Sequence, residues 1–245
     1  MELFGHRGAR NEAPENTLAG FRYLRSLNIH KVELDIRLSK DDELIVIHDI
    51  TLDRTTDKTG AITELNAQQL QQVNAAAKFK AWKDSTPVPL LEDVLTEWNQ
   101  LEKIQLEVKG SDERTMDIIA AKLPALIKKL NIEDQSVVTS AHLGFLARMQ
   151  ANAPHIDTGF VAERWIRTPV SIAEKHDCQY LCIDWHRCNR KIIHAAKDKG
   201  MHVSIWTVNE IPVAEQMYKW GADSLISDLP STFKPLLEQW NAAKK

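Results

Sequence analysis

The sequence is poor in cysteine and contains no long apolar run, and these two shortages exclude disulfide-framework and membrane-spanning proteins. Its three cysteines, Cys178, Cys182 and Cys188, are odd in number and lie close together, which is not the pattern of a disulfide framework. No stretch approaches the roughly 18 apolar residues of a membrane span, and the amino-terminal MELFGHRG lacks the basic and apolar regions of a secretion signal. We therefore expect a cytoplasmic protein without stable membrane association.

The sequence also lacks an excess of positive charge, which argues against nucleic acid as a partner. The formal net charge is -3 at pH 7, and the lysines and arginines form no block or basic stripe. With 43% hydrophobic and 27% charged residues, the composition is that of an ordinary soluble globular protein. Neither property specifies an oligomeric state.

Length and the order of segments predict a barrel. The 245 residues are close to the roughly 250 typical of a (β/α)₈ TIM barrel. Strand-like segments are expected near 2–4, 32–38, 43–48, 103–108, 136–139, 158–161, 180–183, 202–206 and 224–226. Helix-like segments lie between them, one of which (112–130) contains Pro124 and should be kinked or divided there.

One segment does not follow this alternation. Residues 51–89 match no simple strand-helix unit and predict a short insertion after the second strand region, partly helical over 66–73. No low-complexity linker divides the chain. The sequence therefore predicts an α/β fold, a single (β/α)₈ TIM barrel over residues 1–245.

The stretch from Lys31 to Asp49 places two carboxylates side by side. In an extended strand, apolar side chains point to one face and charged side chains to the other, among them Glu33 and Asp35. Helices cover both sides of a sheet in a fold of this kind, so these carboxylates face an interior or a cleft. There they need a cation or a shifted pKa, and Mg²⁺ or Ca²⁺ would satisfy them.

A second strand repeats this pattern. In IQLEVK, Glu107 and Lys109 share the polar face, and polar residues near the carboxyl end of a barrel strand are typical of an active site. Glu107 completes a three-carboxylate set for one divalent metal ion, which leaves Lys109 and Arg7 to face an anion. The alternative is an internal ion pair between Lys109 and Asp35. A soft-metal site of Cys182 and Cys188 with His186 fits no familiar zinc spacing.

His6 and His48 each follow a predicted strand, where catalytic groups of barrels lie. They could be metal ligands, or the base and acid of a proton-transfer pair. Because oxygen-rich sites for hard metals seldom include imidazole, acid-base catalysis is favoured. The sequence does not say which histidine has which role.

Five motifs now point to a family. FGHRGARNEAPENT, VELDIRLSKDDELIVIHDITLDRTTDKTG, LEVKG, SIWTVN and GADSLISDLP follow one another in the order and spacing of the glycerophosphodiester phosphodiesterase family, over almost the whole chain. The sequence resembles the compact bacterial cytoplasmic members. The resemblance implies metal-dependent hydrolysis of glycerophosphodiesters to sn-glycerol 3-phosphate and an alcohol.

The resemblance also implies roles for nine residues. His6 and His48 match the catalytic pair, Arg7 and Lys109 match the phosphate-binding residues, and Trp206 matches a wall of the glycerol pocket, with core packing as its alternative. Glu15 would orient Arg7 or His6. The matching metal ligands are Glu33, Asp35 and Glu107.

Two other functions remain open from the sequence. One is a phospholipase D-like lyase acting on lipids with the same fold and metal site, which would need an exposed apolar entry surface. The other is a protein that binds a phosphodiester without turning it over, which would not need both His6 and His48. The attacking group, either the glycerol 2-hydroxyl through a cyclic phosphate or a water, is also open.

Overall fold

The computed structural model describes residues 1–98, 100–110, 112–163 and 166–243. Within these residues, eight parallel strands close into a barrel because the first strand pairs with both the second and the last. The strands along the chain are β1 (Glu2–His6), β2 (Lys31–Leu38), β3 (Leu44–Val46), β4 (Lys103–Val108), β5 (Ser136–Ser140), β6 (Asp157–Ala162), β7 (Tyr180–Asp184), β8 (His202–Trp206) and β9 (Ser224–Ser227).

β3 is the strand outside the barrel, and it corrects the segment expected at 43–48. It has only three residues and runs antiparallel to the end of β2, with Ile36 opposite Val46. The connection between the two strands is too short for the crossover that a parallel neighbour requires. The chain therefore turns after β2, and β3 runs back beside the end of that strand. The chain after β3 then returns to the barrel rim, where His48 lies.

Helices cover the outside of the barrel. They are α1 (Leu18–Ser26), α3 (Leu91–Glu97), α4 (Glu113–Leu130), α5 (Leu143–Asn152), α6 (Pro169–Lys175), α7 (Arg190–Lys197), α8 (Ile211–Trp220) and α9 (Pro230–Ala242), whereas the short α2 (Ala67–Leu70) belongs to the insertion. Pro124 lies within α4, which continues past it as one helix rather than dividing. No helix among the described residues is long and apolar enough to cross a membrane.

The two faces of each barrel strand meet different surroundings. Val32, Leu34 and Ile36 point outward into the apolar core beneath the helices and are fully buried. Glu33 and Asp35 point inward, as the alternation predicts. Ladder pairing then places His6 beside Glu33 and Asp35 beside Glu107.

The insertion has an apolar core of its own. It contains a 3₁₀ helix (Ile62–Glu64) and α2, which is shorter than the helical stretch expected at 66–73. Ile45 of β3 forms one buried apolar cluster with residues of the chain that follows it. These residues are Ile47, Leu52, Ile62, Leu70, Val73, Ala75 and Val88. The insertion is thereby attached to the rim of the barrel beside His48.

Candidate active site

A cleft of about 620 Å³, including the part open to solvent, lies at the carboxyl ends of the barrel strands. This size suits a small-molecule ligand. Of the nine residues predicted from the sequence, Asp35 and Glu15 lie just behind its surface. The other seven line it: His6, Arg7, Glu33, His48, Glu107, Lys109 and Trp206.

The turn after β1 brings backbone and side chain to the site together. Arg7 and Gly8 both have positive φ angles, of 51° and 92°. A side chain at Gly5 would meet the carbonyl oxygen of Gly8 at 2.0 Å, so this tight turn requires glycine. It lets the Arg7 backbone N–H donate a 3.1 Å hydrogen bond to Oε2 of Glu33.

Glu33, Asp35 and Glu107 form the carboxylate cluster at the floor of the cleft. One oxygen from each lies within 4.8 Å of the others. Oε1 of Glu33 and Oδ1 of Asp35 are buried without a hydrogen-bond partner, although a buried carboxylate oxygen normally has one. A hard divalent cation fits these three oxygens, because it supplies the missing partner and offsets their charge.

The pKa values of the cluster show how poorly it tolerates its own charge. Burial, then the charges of Asp35 and Glu107, raise the pKa of Glu33 well above its ordinary value. Burial also raises the pKa of Glu107, to about 7, although Lys109 opposes this. For Asp35, burial is outweighed by Arg7 and Lys109, and its pKa is lowered. Without a metal ion, ionisation of Glu33 is therefore disfavoured, and Glu107 is only partly ionised near neutral pH.

This proton binding predicts how pH and metal act together on stability. A glutamate whose pKa is raised by folding stabilises the folded state below its ordinary pKa, and this contribution is lost as pH rises through the raised value. The metal-free protein should thus lose stability through Glu107 as the pH rises from about 4.5 to about 7, the ordinary and the raised pKa of this group, and should change little above that. A divalent ion binds the deprotonated carboxylates, so it should raise Tm more at the higher pH.

Thermal unfolding with and without Mg²⁺ or Ca²⁺, across this pH range, checks the expectation. The variant Glu107→Gln is the control, because it removes the group that titrates near neutrality. An equal increase in Tm at both ends of the range in the unaltered protein would contradict it.

Lys109 pairs with the cluster, as the ion-pair alternative expected. Its Nζ lies 3.5 Å from Oδ1 of Asp35 and is in close contact with Oε1 of Glu107. The charge of this pairing, with burial opposing it, raises the pKa of Lys109. One ammonium still leaves Oε1 of Glu33 and Oδ1 of Asp35 without hydrogen bonds. The ion pair and the metal site are therefore compatible.

Each of the two cleft histidines has an aspartate on its Nδ1 atom. Nδ1 of His6 is 2.6 Å from Oδ1 of Asp228, and Nδ1 of His48 is 2.6 Å from Oδ1 of Asp49. A carboxylate partner favours the proton on Nδ1, so Nε2 of each ring is left for substrate. Burial is the largest influence on both histidines and lowers their pKa values, with the aspartates opposing it.

Asp228, Asn209 and Arg37 were not predicted as site residues. Asn209 donates a 2.8 Å hydrogen bond to Oδ2 of Asp228 and so fixes the partner of His6. Arg37 donates to the backbone carbonyls of His48, at 2.6 Å, and Lys109, at 2.9 Å. Each of them lies in a segment that the sequence analysis had singled out. Asp228 belongs to SDLP, Asn209 to WTVN, and Arg37 to the charged face of β2.

Arg7 is held by two carboxylates. Its Nη1 donates a 2.9 Å hydrogen bond to Glu15, and its Nε lies 3.0 Å from Oδ2 of Asp35, although the Nε–H does not point at that oxygen. Asn16 also contacts Asp35, through a 2.8 Å hydrogen bond from Nδ2. The next residue, Thr17, caps α1 by accepting a hydrogen bond from the backbone N–H of Gly20.

Comparison with known proteins assigns the site to a family. The model of the glycerophosphoryl diester phosphodiesterase family matches residues 6–232, which include every side chain of the cleft described above. This chain belongs to that family. It is a phosphoric diester hydrolase of the glycerophosphodiester phosphodiesterase type.

Individual relatives match this chain over nearly its full length. A glycerophosphodiester phosphodiesterase of Caldanaerobacter subterraneus subsp. tengcongensis is 28% identical over 238 residues, which cover 97% of this chain and 98% of the relative. The structure of an Oleispira antarctica phosphodiesterase in complex with the product sn-glycerol-3-phosphate superimposes with a TM-score of 0.88, at 26% identity over 97% of both chains. A glycerophosphodiester phosphodiesterase from Agrobacterium tumefaciens str. C58 gives 0.83 at 26% identity, over 95% of this chain and 98% of that one. The family and the (β/α)₈ barrel predicted from the sequence are both confirmed.

The sequence left two positions open for Trp206, the wall of a pocket and the core, and the side chain takes part in both. It lines the cleft and also packs on the small interior cluster around Val161 and Cys182. Its indole Nε1 is buried and has no hydrogen-bond partner.

The cysteine and histidine residues near β7 do not form a metal centre. Cys182 faces the barrel interior, Cys188 is buried in the outer core, and the His186 side chain is 66% exposed. Among the residues that the structure describes, the carboxylate cluster is the one group of three or more potential ligands close enough to share an ion.

Asp228 gives a direct test of how His6 is oriented. Asp228→Asn removes the carboxylate acceptor at Nδ1 of His6, so the ring can adopt the wrong tautomer. We expect kcat to fall about 10- to 100-fold while metal affinity is unchanged, as for other residues that orient a functional side chain. Steady-state kinetics and calorimetric metal titration measure the two quantities.

Asp184→Asn is the matched control for this substitution. Asp184 also contacts Nδ1 of a histidine, His186, at 2.8 Å, but neither residue lines the cleft. This control should retain activity within about twofold, since surface pairs contribute little. Equal kinetics for the two variants would show that the Asp228 contact has no role in turnover.

Proposed function

We propose that this protein hydrolyses glycerophosphodiesters, such as deacylated phospholipid head-group species, to sn-glycerol 3-phosphate and an alcohol, with a divalent metal ion as cofactor. The observation that carries the proposal is the convergence of three kinds of group in one cleft. These are the carboxylate cluster with its unpaired oxygens, the two cations Arg7 and Lys109, and the two histidine-aspartate pairs. The product complex of the related Oleispira antarctica phosphodiesterase supports the choice of sn-glycerol 3-phosphate.

Glu33, Asp35 and Glu107 would hold the cofactor, either Mg²⁺ or Ca²⁺. When bound, the ion supplies Lewis-acid polarisation of the phosphate oxygens. Arg7 binds the phosphate of the substrate, and Glu15 holds its guanidinium in place. Lys109 moves from its carboxylate partners to the phosphate and offsets the charge that develops there.

The two histidines carry the protons. One histidine starts neutral and accepts a proton from the attacking hydroxyl on its Nε2 atom. The other starts protonated on both ring nitrogens and donates its Nε2 proton to the leaving alcohol oxygen. The attacking group is either the glycerol 2-hydroxyl or a water molecule, and in both cases one histidine serves as base and the other as acid. A substrate without the 2-hydroxyl distinguishes the two attacking groups, because it can react only by direct attack of water. Trp206 forms a wall of the glycerol pocket.

The cellular location proposed is the cytoplasm. The three cysteines are free thiols and all are buried, as expected for a protein of a reducing compartment.

The test is release of sn-glycerol 3-phosphate from glycerophosphocholine and glycerophosphoethanolamine by metal-stripped protein, before and after addition of Mg²⁺ or Ca²⁺. Release that requires the metal supports the substrate class and the cofactor together. No release with any metal ion would contradict the proposal and favour a lipid-directed lyase or a non-catalytic binding protein.

A further inference from the structure

The insertion sends one side chain, Arg54, to the carboxylates that support the cleft. Its Nε donates a 2.6 Å hydrogen bond to Oδ2 of Asp49. Its two terminal nitrogens donate to the two oxygens of Glu15, at 2.7 and 2.8 Å. Arg54 belongs to the LDRTT segment, and nothing in the mechanism above uses it. It does not line the cleft, so any effect on turnover must pass through other residues.

The two carboxylates that Arg54 binds each hold a residue of the mechanism. Asp49 contacts Nδ1 of His48 at 2.6 Å through its other oxygen, and Glu15 accepts a 2.9 Å hydrogen bond from Arg7. One continuous series of hydrogen bonds therefore joins His48, Asp49, Arg54, Glu15 and Arg7. It links a histidine on the chain after β3 to an arginine on the turn after β1.

The pKa values of Glu15 and Asp49 indicate that Arg54 stabilises the ionised form of both carboxylates. Burial alone would raise the pKa of Glu15, but hydrogen bonds from Arg54 and the charge of Arg7 outweigh it and bring that pKa to about 2. Asp49 behaves in the same way, and its pKa also falls to about 2. Glu15 has one more neighbour, Arg10, whose Nε lies 3.3 Å away. Among the residues described, Arg54 is the one arginine or lysine in direct contact with Asp49, and the more distant Arg37 acts on it only through its charge.

We propose that Arg54 is a positioning residue that fixes His48 and Arg7 relative to each other across the cleft. The inference rests on the proposed function, since it assigns those two residues to proton transfer and phosphate binding. The His48 and Asp49 side chains are 31% and 26% exposed, so they need an anchor to keep one orientation against water. A guanidinium can hold two carboxylates at once because its donors form a rigid fork, which the single ammonium of lysine cannot reproduce.

The experiment compares Arg54→Gln and Arg54→Lys with the control Arg22→Gln. Arg22 also makes a bidentate pair with a carboxylate, that of Glu97, but it lies on the outer surface of α1 away from the cleft. Arg54→Gln should lower kcat/KM about 10- to 100-fold, and Arg54→Lys should recover only a small part of that loss. Guanidinium added to Arg54→Gln should restore part of the activity. The Arg22 control should stay within about twofold of the unaltered protein.

A second measurement does not depend on turnover. ¹⁵N NMR of the His48 ring reports how the proton is shared between its two nitrogens, and we expect the single Nδ1–H form of the unaltered protein to become mixed in Arg54→Gln. If the unaltered protein releases no sn-glycerol 3-phosphate, the proposed function fails, and the NMR comparison still decides the role of Arg54. A folded Arg54→Gln protein with unchanged kinetics, or with an unchanged His48 spectrum, would overturn the inference. If Arg54→Gln does not fold, Arg54→Lys provides the same two measurements.

Discussion

Asp35→Ala is expected to abolish turnover together with metal binding. Asp35 is 1% exposed, and its Oδ1 atom is one of the two buried carboxylate oxygens without a hydrogen-bond partner. Removing it leaves two carboxylates, too few to hold a divalent ion firmly. Since a bound ion contributes several kcal/mol of charge stabilisation in the transition state, kcat/KM should fall about a thousandfold or more. Glu33→Ala should behave in the same way.

Calorimetric titration with Mg²⁺ and Ca²⁺, alongside the release of sn-glycerol 3-phosphate, separates metal loss from misfolding. Glu163→Gln is the control, because Glu163 also lies 3.5 Å from Lys109 but is 41% exposed and outside the carboxylate cluster. It should bind metal as the unaltered protein does. An Asp35→Ala protein that stays active at low free metal would exclude Asp35 as a ligand.

His48→Ala should separate catalysis from metal binding. His48 is not part of the carboxylate cluster, and its Nδ1 atom is already occupied by Asp49. Loss of a general acid or base typically costs 10²- to 10⁴-fold in kcat. We expect a loss of about that size with nearly unchanged metal affinity, and partial recovery when imidazole is added.

His186→Ala is the matched control, since His186 is also paired with an aspartate through Nδ1 but lies outside the cleft. Its kinetics should match those of the unaltered protein. A large loss of metal affinity in His48→Ala, measured by calorimetry, would instead make His48 a ligand.

The residues proposed to bind metal and phosphate could be predicted from the sequence because strand alternation is a local rule. Glu33 and Asp35 are two positions apart, so they share a face of β2 whatever surrounds that strand. Glu107 and Lys109 repeat the spacing on β4, and the parallel ladder sets Asp35 beside Glu107. Carboxylates on an inward face already imply either a cation or shifted pKa values, before any distance is known.

The residues that the sequence did not reveal are those whose partners lie far along the chain. Asp228 meets His6 across 222 positions, only because β9 closes the barrel against β1. Arg54 looks like an ordinary polar residue of a surface insertion until the fold brings it to Glu15, which is 39 positions away. Neither contact follows from periodicity or spacing.

The sequence by itself thus determined the family, the barrel, and which carboxylates and histidines would be brought together at the cleft. These follow from local patterns, namely which face of a strand a side chain occupies and which residue types follow the strand. Only the tertiary structure decided that β3 turns back beside β2, which residues orient the two histidines, and how the insertion reaches the site. Those features depend on barrel closure and on hydrogen bonds between distant segments, and geometry of that kind exists only once the chain has folded.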